Sequence, residues 1–100
     1  MQPETAIAVI RRHEAELKEL GAVSVALFGS TARGEAGPNS DVDVAVRLDE
    51  RFRGFYAFGA LDRIKLRLTE LLKANVDVIP EPRETGPLKT AIEKDRQFAF

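Results

Sequence analysis

Three short runs rich in valine constrain the fold of this chain more than any other feature. They occupy residues 23–28, 41–48 and 76–79, and segments with helical periodicity separate them. Runs of four to eight residues rich in β-branched side chains are typical of strands. Strands that alternate with helices predict an α/β (α+β) fold with a small mixed sheet and helices packed mainly on one face. A length of 100 residues predicts a single domain over residues 1–100.

The helical segments follow from apolar spacing. Residues 3–20 are predicted as one helix that ends before Gly21, because apolar side chains recur at intervals of three and four residues or their sum. Residues 55–73 are predicted as the longest helix, and residues 85–94 and 97–100 as a last helix and an edge strand. The long helix carries an apolar stripe that we expect to lie in the core, formed by Phe58, Leu61, Ile64, Leu68, Leu71 and Leu72.

Composition excludes several classes of function. The chain has no cysteine, which excludes disulfides, zinc–thiolate sites and thiol catalysis. A net charge of −1 argues against a domain built mainly to bind nucleic acid, which usually carries a basic surplus. No apolar run approaches the roughly 20 residues that span a bilayer, and no signal peptide is visible. These observations predict a cytoplasmic protein with no membrane partner.

Two acidic residues begin the second predicted strand. Residues i and i+2 of a strand share a face, so Asp41 and Asp43 stand side by side. Two carboxylates this close favour a cation between them, and hard oxygen ligands without His or Cys favour Mg²⁺ or Mn²⁺. Mg²⁺ is usually held by carboxylates together with substrate phosphates, which predicts a nucleoside triphosphate as substrate. The alternative interpretation is a solvated strand edge.

A third carboxylate, Asp77, interrupts the apolar run at residues 76–79. A carboxylate in such a strand is costly to bury unless it is paired or bound to a metal. If this strand neighbours the second one, three carboxylates converge and can hold two divalent ions, as in two-metal phosphoryl transfer. The alternative is an ion pair between Asp77 and an arginine at the sheet edge.

A turn between a strand and a helix supplies a candidate phosphate site. Gly29 allows close approach of a ligand, and Ser30 adds a hydroxyl and is predicted to cap a short helix over residues 31–34. Arg33 could reach a phosphate oxygen with its planar guanidinium. An ordinary turn is the alternative for the first two residues, and an ion pair from Arg33 to Glu35 or Asp43 is the alternative for the third.

The order of these residues resembles a known signature. Gly29-Ser30, ten residues, and then Asp41-x-Asp43 is similar to the signature of the polymerase-β-like nucleotidyltransferases. The longer stretches 28–35 and 40–44 resemble the minimal nucleotidyltransferase (MNT) branch, which includes antitoxins paired with HEPN ribonuclease toxins. The resemblance implies that Gly29 and Ser30 hold the triphosphate and that Asp41 and Asp43 ligate metal. It assigns Asp77 as the third metal ligand by placement on a later strand.

The resemblance also implies a reaction and a partner. It implies Mg²⁺-dependent transfer of AMP from ATP to a tyrosine of a cognate HEPN toxin, within a hetero-oligomer in which this chain is the antitoxin. One alternative is an antitoxin that neutralises its partner by contact with little catalysis. Another is transfer to a small molecule, although relatives of that kind usually carry an additional substrate-binding domain. The segment at residues 97–100 is either a partner-binding edge or part of the core.

Overall fold

A four-stranded mixed sheet with flanking helices forms the architecture. The computed structural model describes residues 1–35, 37, 40–52, 54–81 and 86–100. The predicted fold class is therefore confirmed. In chain order, the elements are α1 (Pro3–Arg12), α2 (Glu14–Glu19), β1 (Ala22–Phe28), α3 (Gly29–Ala32), β2 (Val42–Leu48), α4 (Phe55–Leu72), β3 (Val76–Glu81), α5 (Pro87–Asp95) and β4 (Gln97–Phe98).

The strands lie in the order β3-β2-β1-β4. β1 is antiparallel to both β2 and β4, whereas β2 and β3 run parallel. Alternation along β2 buries one set of side chains in the main core, on the face covered by α1, α2 and α4. This set comprises Val42, Val44 and Val46. Asp43 therefore points to the opposite face, as the sequence predicts.

The opposite face is partly covered. Ile92 of α5 packs with Phe28 and Ala45 in a second, smaller apolar cluster. The helices thus cover mainly one face, and α5 shields one region of the other. The C-terminal segment continues the sheet, because the Ala99 amide donates a 2.8 Å hydrogen bond to the carbonyl of Val25. The predicted edge strand is confirmed, and Ala99 itself is buried in the main core.

The first predicted helix is divided into two. α1 ends at Arg12 and α2 begins at Glu14, because His13 leaves helical geometry with φ −109° and ψ 21°. The His13 amide bonds to the Ile10 carbonyl at 3.0 Å, which is a tighter i to i−3 turn. The prediction of one continuous helix over residues 3–20 was wrong at this point. Neither Pro nor Gly marks the break, so local sequence gives no signal for it.

The long helix α4 confirms most of the predicted stripe but not its first residue. Ile64, Leu68 and Leu72 are buried against the sheet, whereas 75% of Phe58 is exposed. The assignment of Phe58 to the core was therefore wrong. Ala60 is the buried residue of that turn instead. Among the residues that the structure describes, no helix combines the length and apolar character that crossing a bilayer requires.

The short helix begins earlier than predicted. α3 starts at Gly29, and Phe28, in extended geometry, occupies the N-cap position. The prediction that Ser30 caps a helix over residues 31–34 was wrong, because Ser30 lies inside the first turn. Parts of the predicted loop (Pro38 and Asn39) and the predicted start of the last helix (Thr85) lie outside the described residues. α5 is described from Pro87 onward.

Candidate functional site

The turn between β1 and α3 lies directly against the carboxylate of Asp43. Gly29 has φ +67°, in the left-handed region that favours glycine. A Cβ atom placed on Gly29 would collide with Oδ2 of Asp43. The pairing of Phe28 with Asp43 in the β1–β2 ladder produces this closeness, because Gly29 directly follows Phe28. Glycine is therefore required here by both backbone conformation and space.

The sheet also brings the second and third carboxylates to Asp43. Asp43 and Asp77 are direct partners in the parallel β2–β3 ladder, so their side chains project from the same face. Asp41 lies two residues before Asp43, at the entry to the strand. Asp41 and Asp77 are exposed, whereas Asp43 is half-buried. The three acidic residues selected from the sequence thus lie at one end of the sheet, beside the turn.

The electrostatics of Asp43 reflect this crowding. Burial raises the pKa of Asp43, and the negative charges of Asp77 and Asp41 raise it further. Arg33 opposes this effect by lowering the same pKa. The effect of Arg33 is smaller than that of either neighbouring carboxylate, so the nearby positive charge does not compensate the negative charge around Asp43. A site with this imbalance attracts cations.

The carboxylate oxygens of the site suit a divalent cation that is also bound by phosphate oxygens of a substrate. Carboxylate oxygens are the ligands that Mg²⁺ prefers, and it usually takes one or two of them plus phosphate oxygens. No group of three His, Cys, Asp or Glu side chains within the described part of the chain forms a ready-made metal site. Asp43 and Asp77, as ladder partners, fit the more open arrangement in which phosphate completes the coordination.

Arg33 stands at the rim of the site and is held by two carboxylates. Its Nε donates to Glu35 at 3.0 Å, and its Nη1 donates to Asp95 at 2.7 Å. These two hydrogen bonds, first Glu35 and then Asp95, raise the pKa of Arg33. The ion pair to Glu35 is one of the alternatives that the sequence left open. Within the described residues, Nη2 of Arg33 makes no hydrogen bond, which leaves donors for another group.

Two residues that the sequence analysis did not select connect α3 to the C-terminal segment. Asp95 holds Arg33, and only 12% of the Asp95 side chain is exposed. Nε2 of Gln97 donates a 2.5 Å hydrogen bond to the carbonyl of Ala32. These contacts span more than 60 residues of sequence, so no local pattern could have revealed them. Together they fix the end of α3, and hence the turn, against α5 and β4.

Comparison with known proteins agrees with this site. The family model described as "Nucleotidyltransferase domain" matches residues 10–99. A relative from Methanocaldococcus jannaschii, named "Putative protein adenylyltransferase MJ1379", is 36% identical over 89 residues, which cover 87% of each chain. The residues that the family model matches include the turn and all three carboxylates of the site.

Solved structures extend the comparison to the fold. The chain superposes on a structure called a "putative minimal nucleotidyltransferase" with a TM-score of 0.77 and 32% identity, covering 97% of this chain and 95% of the other. It shares its fold, at 15% identity and a TM-score of 0.62, with a complex of tri-AMPylated Shewanella oneidensis HEPN toxin and MNT antitoxin. That match covers 94% of this chain and 71% of the other. This chain therefore belongs to the nucleotidyltransferase domain family and is an enzyme of its minimal branch.

Proposed function

We propose that this enzyme transfers AMP from ATP to a tyrosine hydroxyl of a cognate HEPN toxin and so acts as its antitoxin, in a hetero-oligomer with that toxin. One observation carries the proposal: Gly29 touches the carboxylate of Asp43, and Asp77 stands beside Asp43 in the sheet. A phosphate-binding turn and a carboxylate platform are thus contiguous. The proposal places the reaction in the cytoplasm, where ATP is available.

The turn would hold the triphosphate. The first amides of a helix lack intrahelical partners, and no side chain caps α3. Gly29 and Ser30 can therefore offer backbone amides, and Ser30 a hydroxyl, to phosphate oxygens. Asp41, Asp43 and Asp77 would hold Mg²⁺, two ions in the full arrangement, which neutralises phosphate charge when bound. The α-phosphorus would then lie between the turn and the carboxylates.

The chemical step is an in-line displacement. The oxygen of the acceptor hydroxyl attacks the α-phosphorus, and its proton passes to the exposed carboxylate of Asp77. The bond from the α-phosphorus to the oxygen that bridges to the β-phosphorus breaks, and pyrophosphate leaves. The product is AMP joined to the acceptor through a phosphodiester. Positioning and charge stabilisation supply most of the acceleration in such reactions.

Arg33 fits a role on the phosphate side. Glu35 and Asp95 fix its guanidinium, so the Nη2 donors are oriented without further loss of side-chain freedom. We propose that these donors contact the leaving pyrophosphate. The positive charge of Arg33 also lowers the pKa of Asp43, which agrees with a position of Arg33 near the carboxylates.

The acceptor is proposed to be a protein because of the relatives. The Methanocaldococcus protein carries the name of a protein adenylyltransferase, and the Shewanella toxin is tri-AMPylated in its complex.

Label transfer tests the proposal. The purified chain is mixed with a candidate HEPN partner protein, Mg²⁺ and ATP labelled at the α-phosphate, and protein-bound label is measured. We expect label on the HEPN protein that disappears with Asp43→Asn and persists with Asp62→Asn, an exposed aspartate of α4. No label, combined with neutralisation in cells by Asp43→Asn, would instead establish an antitoxin that works by contact. Label on a small molecule alone would show that the proposed protein acceptor is wrong.

A further inference from the structure

A groove on the outer side of α4 exposes large aromatic side chains. It encloses about 350 Å³ and is lined by Phe52, Phe55, Tyr56, Phe58, Gly59 and Arg63. The exposed fractions are 89% for Phe55, 74% for Tyr56 and 75% for Phe58. Single exposed apolar residues are ordinary, but a contiguous aromatic cluster is typical of an interaction surface. We call this surface the aromatic groove.

The aromatic groove is separate from the carboxylates. α4 packs its buried side against the valines of β2, whereas Asp43 points away from that face. The groove also lies at the other end of the strand, because α4 begins after β2 ends at Leu48. The five residues from Asp43 to Leu48 correspond to roughly 17 Å along the strand. A molecule in the groove would therefore leave the carboxylates accessible.

The glycine at position 59 of α4 indicates that the backbone of another molecule can approach this helix closely. Glycine in the middle of a helix costs about 1 kcal/mol relative to alanine. A Cβ atom at Gly59 would meet only Nη1 of Arg63 within 4 Å, at an ordinary contact distance of 3.5 Å. Packing within the described chain thus gives no reason for glycine here. A second backbone that crosses α4 at Gly59 would give one.

The charge of Arg63 distinguishes between the molecules that could bind in the aromatic groove. Arg63 is the charged residue of the lining, and among the described residues it forms no ion pair. A second copy of this chain, packed groove to groove about a two-fold axis, would bring a second arginine and no acidic side chain of the groove lining to the interface. An acidic partner would instead complete the arginine's hydrogen bonds. Aromatic side chains with an arginine are also the residues that dominate protein interfaces.

We propose that the aromatic groove docks a helix of a partner protein, crossing α4 at Gly59, with an apolar side chain in the groove and a carboxylate on Arg63. This docking is independent of the proposed adenylyl transfer, since the groove and the carboxylates occupy different faces. The protein thus has one face for chemistry and another for holding a partner.

Peptide binding measures this directly. The probe is a fluorescent, helix-stapled acidic peptide with leucines along one face and glutamates beside them. The control is a basic peptide of the same design with lysines in place of the glutamates. We expect the acidic peptide to bind the full chain and the basic one to bind at least roughly tenfold more weakly. Phe58→Ala should weaken binding about tenfold. Arg63→Glu should reverse the preference between peptides, and Leu66→Ala, an exposed residue of α4 outside the groove, should leave binding unchanged.

Gly59→Ala gives the sharpest readout, because it separates binding from stability. The variant should raise the thermal midpoint and yet weaken peptide binding. Asp43→Asn should bind the peptide as the wild type does, so loss of transfer and loss of docking are distinguishable. Equal binding of both peptides, or of neither, would overturn the proposal. A dimer in sedimentation that Phe58→Ala dissociates, or binding to anionic lipid vesicles that Phe58→Ala abolishes, would overturn it in favour of a second copy or a lipid surface.

Discussion

The two ends of β2 differ in the side chains that surround them: one end gathers carboxylates and the other exposes aromatic rings. At the end that begins with Val42, three carboxylates gather beside a glycine turn, and the pKa of Asp43 is raised by burial and by like charge. At the end beyond Leu48, aromatic side chains stand in solvent around an arginine. One end carries excess negative charge and the other excess apolar area.

The difference indicates where function lies. Residues that serve stability alone bury their apolar side chains, as Ile64 and Leu68 do in the core between the two ends. The carboxylate end is suited to binding a small charged ligand. The aromatic end is suited to binding a macromolecule. Variants that separate activity from stability test this contrast, and we order them by the size of the effect.

Asp43→Asn should have the largest effect, and in opposite directions on two measurements. Adenylyl transfer should fall roughly 10³-fold, because the substitution removes a carboxylate that we propose to hold Mg²⁺. The free energy of unfolding at pH 7 should rise. The pKa of Asp43 is raised in the folded state, so the wild type loses stability as pH rises from the ordinary carboxyl pKa through the raised one. Urea denaturation of both proteins at pH 4 and pH 7 measures this. A variant less stable than the wild type at pH 7 would show that Asp43 is structural.

Gly29→Ala should damage both activity and stability. The left-handed backbone conformation costs a residue with a Cβ about 1–2 kcal/mol, and the new methyl group must displace the carboxylate of Asp43. We expect transfer to fall on the order of 100-fold. Gly34→Ala is the matched control, because Gly34 also has a positive φ but a Cβ there meets nothing within 4 Å. If both variants lost adenylyl transfer to a comparable extent, the close approach of Gly29 to Asp43 would have no special role in activity.

Asp95→Asn should have a smaller, specific effect. It weakens one of the two anchors of Arg33, so the KM for ATP should rise on the order of fivefold while kcat changes less. Steady-state kinetics measure both constants. Glu93→Gln, which alters an exposed carboxylate of the same helix, should leave them unchanged. An unchanged KM in Asp95→Asn together with a raised one in Arg33→Ala would show that Arg33 contacts phosphate without needing this anchor.

Phe58→Ala should have the smallest effect on folding. The side chain is exposed, so the free energy of unfolding should change by less than about 0.5 kcal/mol. Leu68→Ala, ten residues along the same helix and fully buried, should cost about 2–5 kcal/mol. Chemical denaturation of the two variants measures this difference. A large loss in Phe58→Ala would mean that the aromatic groove is part of the core.

Much of this fold follows from local patterns. The valine alternation in residues 42–48 fixes which face is buried, and it sets Asp41 and Asp43 on the other side. The Gly29 turn was predictable because a buried run ends in glycine and serine. Parallel pairing, in contrast, is a long-range property. The sequence gives no spacing that would place Asp77 opposite Asp43, and only the ladder of the folded sheet does so.

The errors have physical causes of the same kind. Phe58 has the periodicity of the core stripe, but α4 begins beyond the end of the strand, so the sheet does not cover its first turns. Ser30 is a favoured N-cap type, yet the helix starts at Gly29, two residues before the predicted start, and Phe28 occupies the N-cap position. The anchors from Asp95 and Gln97 depend on tertiary contacts and had no sequence signal.

The position of β3 has a consequence for how the reaction proceeds. Among the described residues, β3 is the outermost strand on its side of the sheet and pairs with β2, and it carries Asp77 exposed near its start. This strand edge would let a bulky acceptor approach Asp77 from the side. Turnover would then be paced by encounter and product departure, and added viscosity should slow it in proportion.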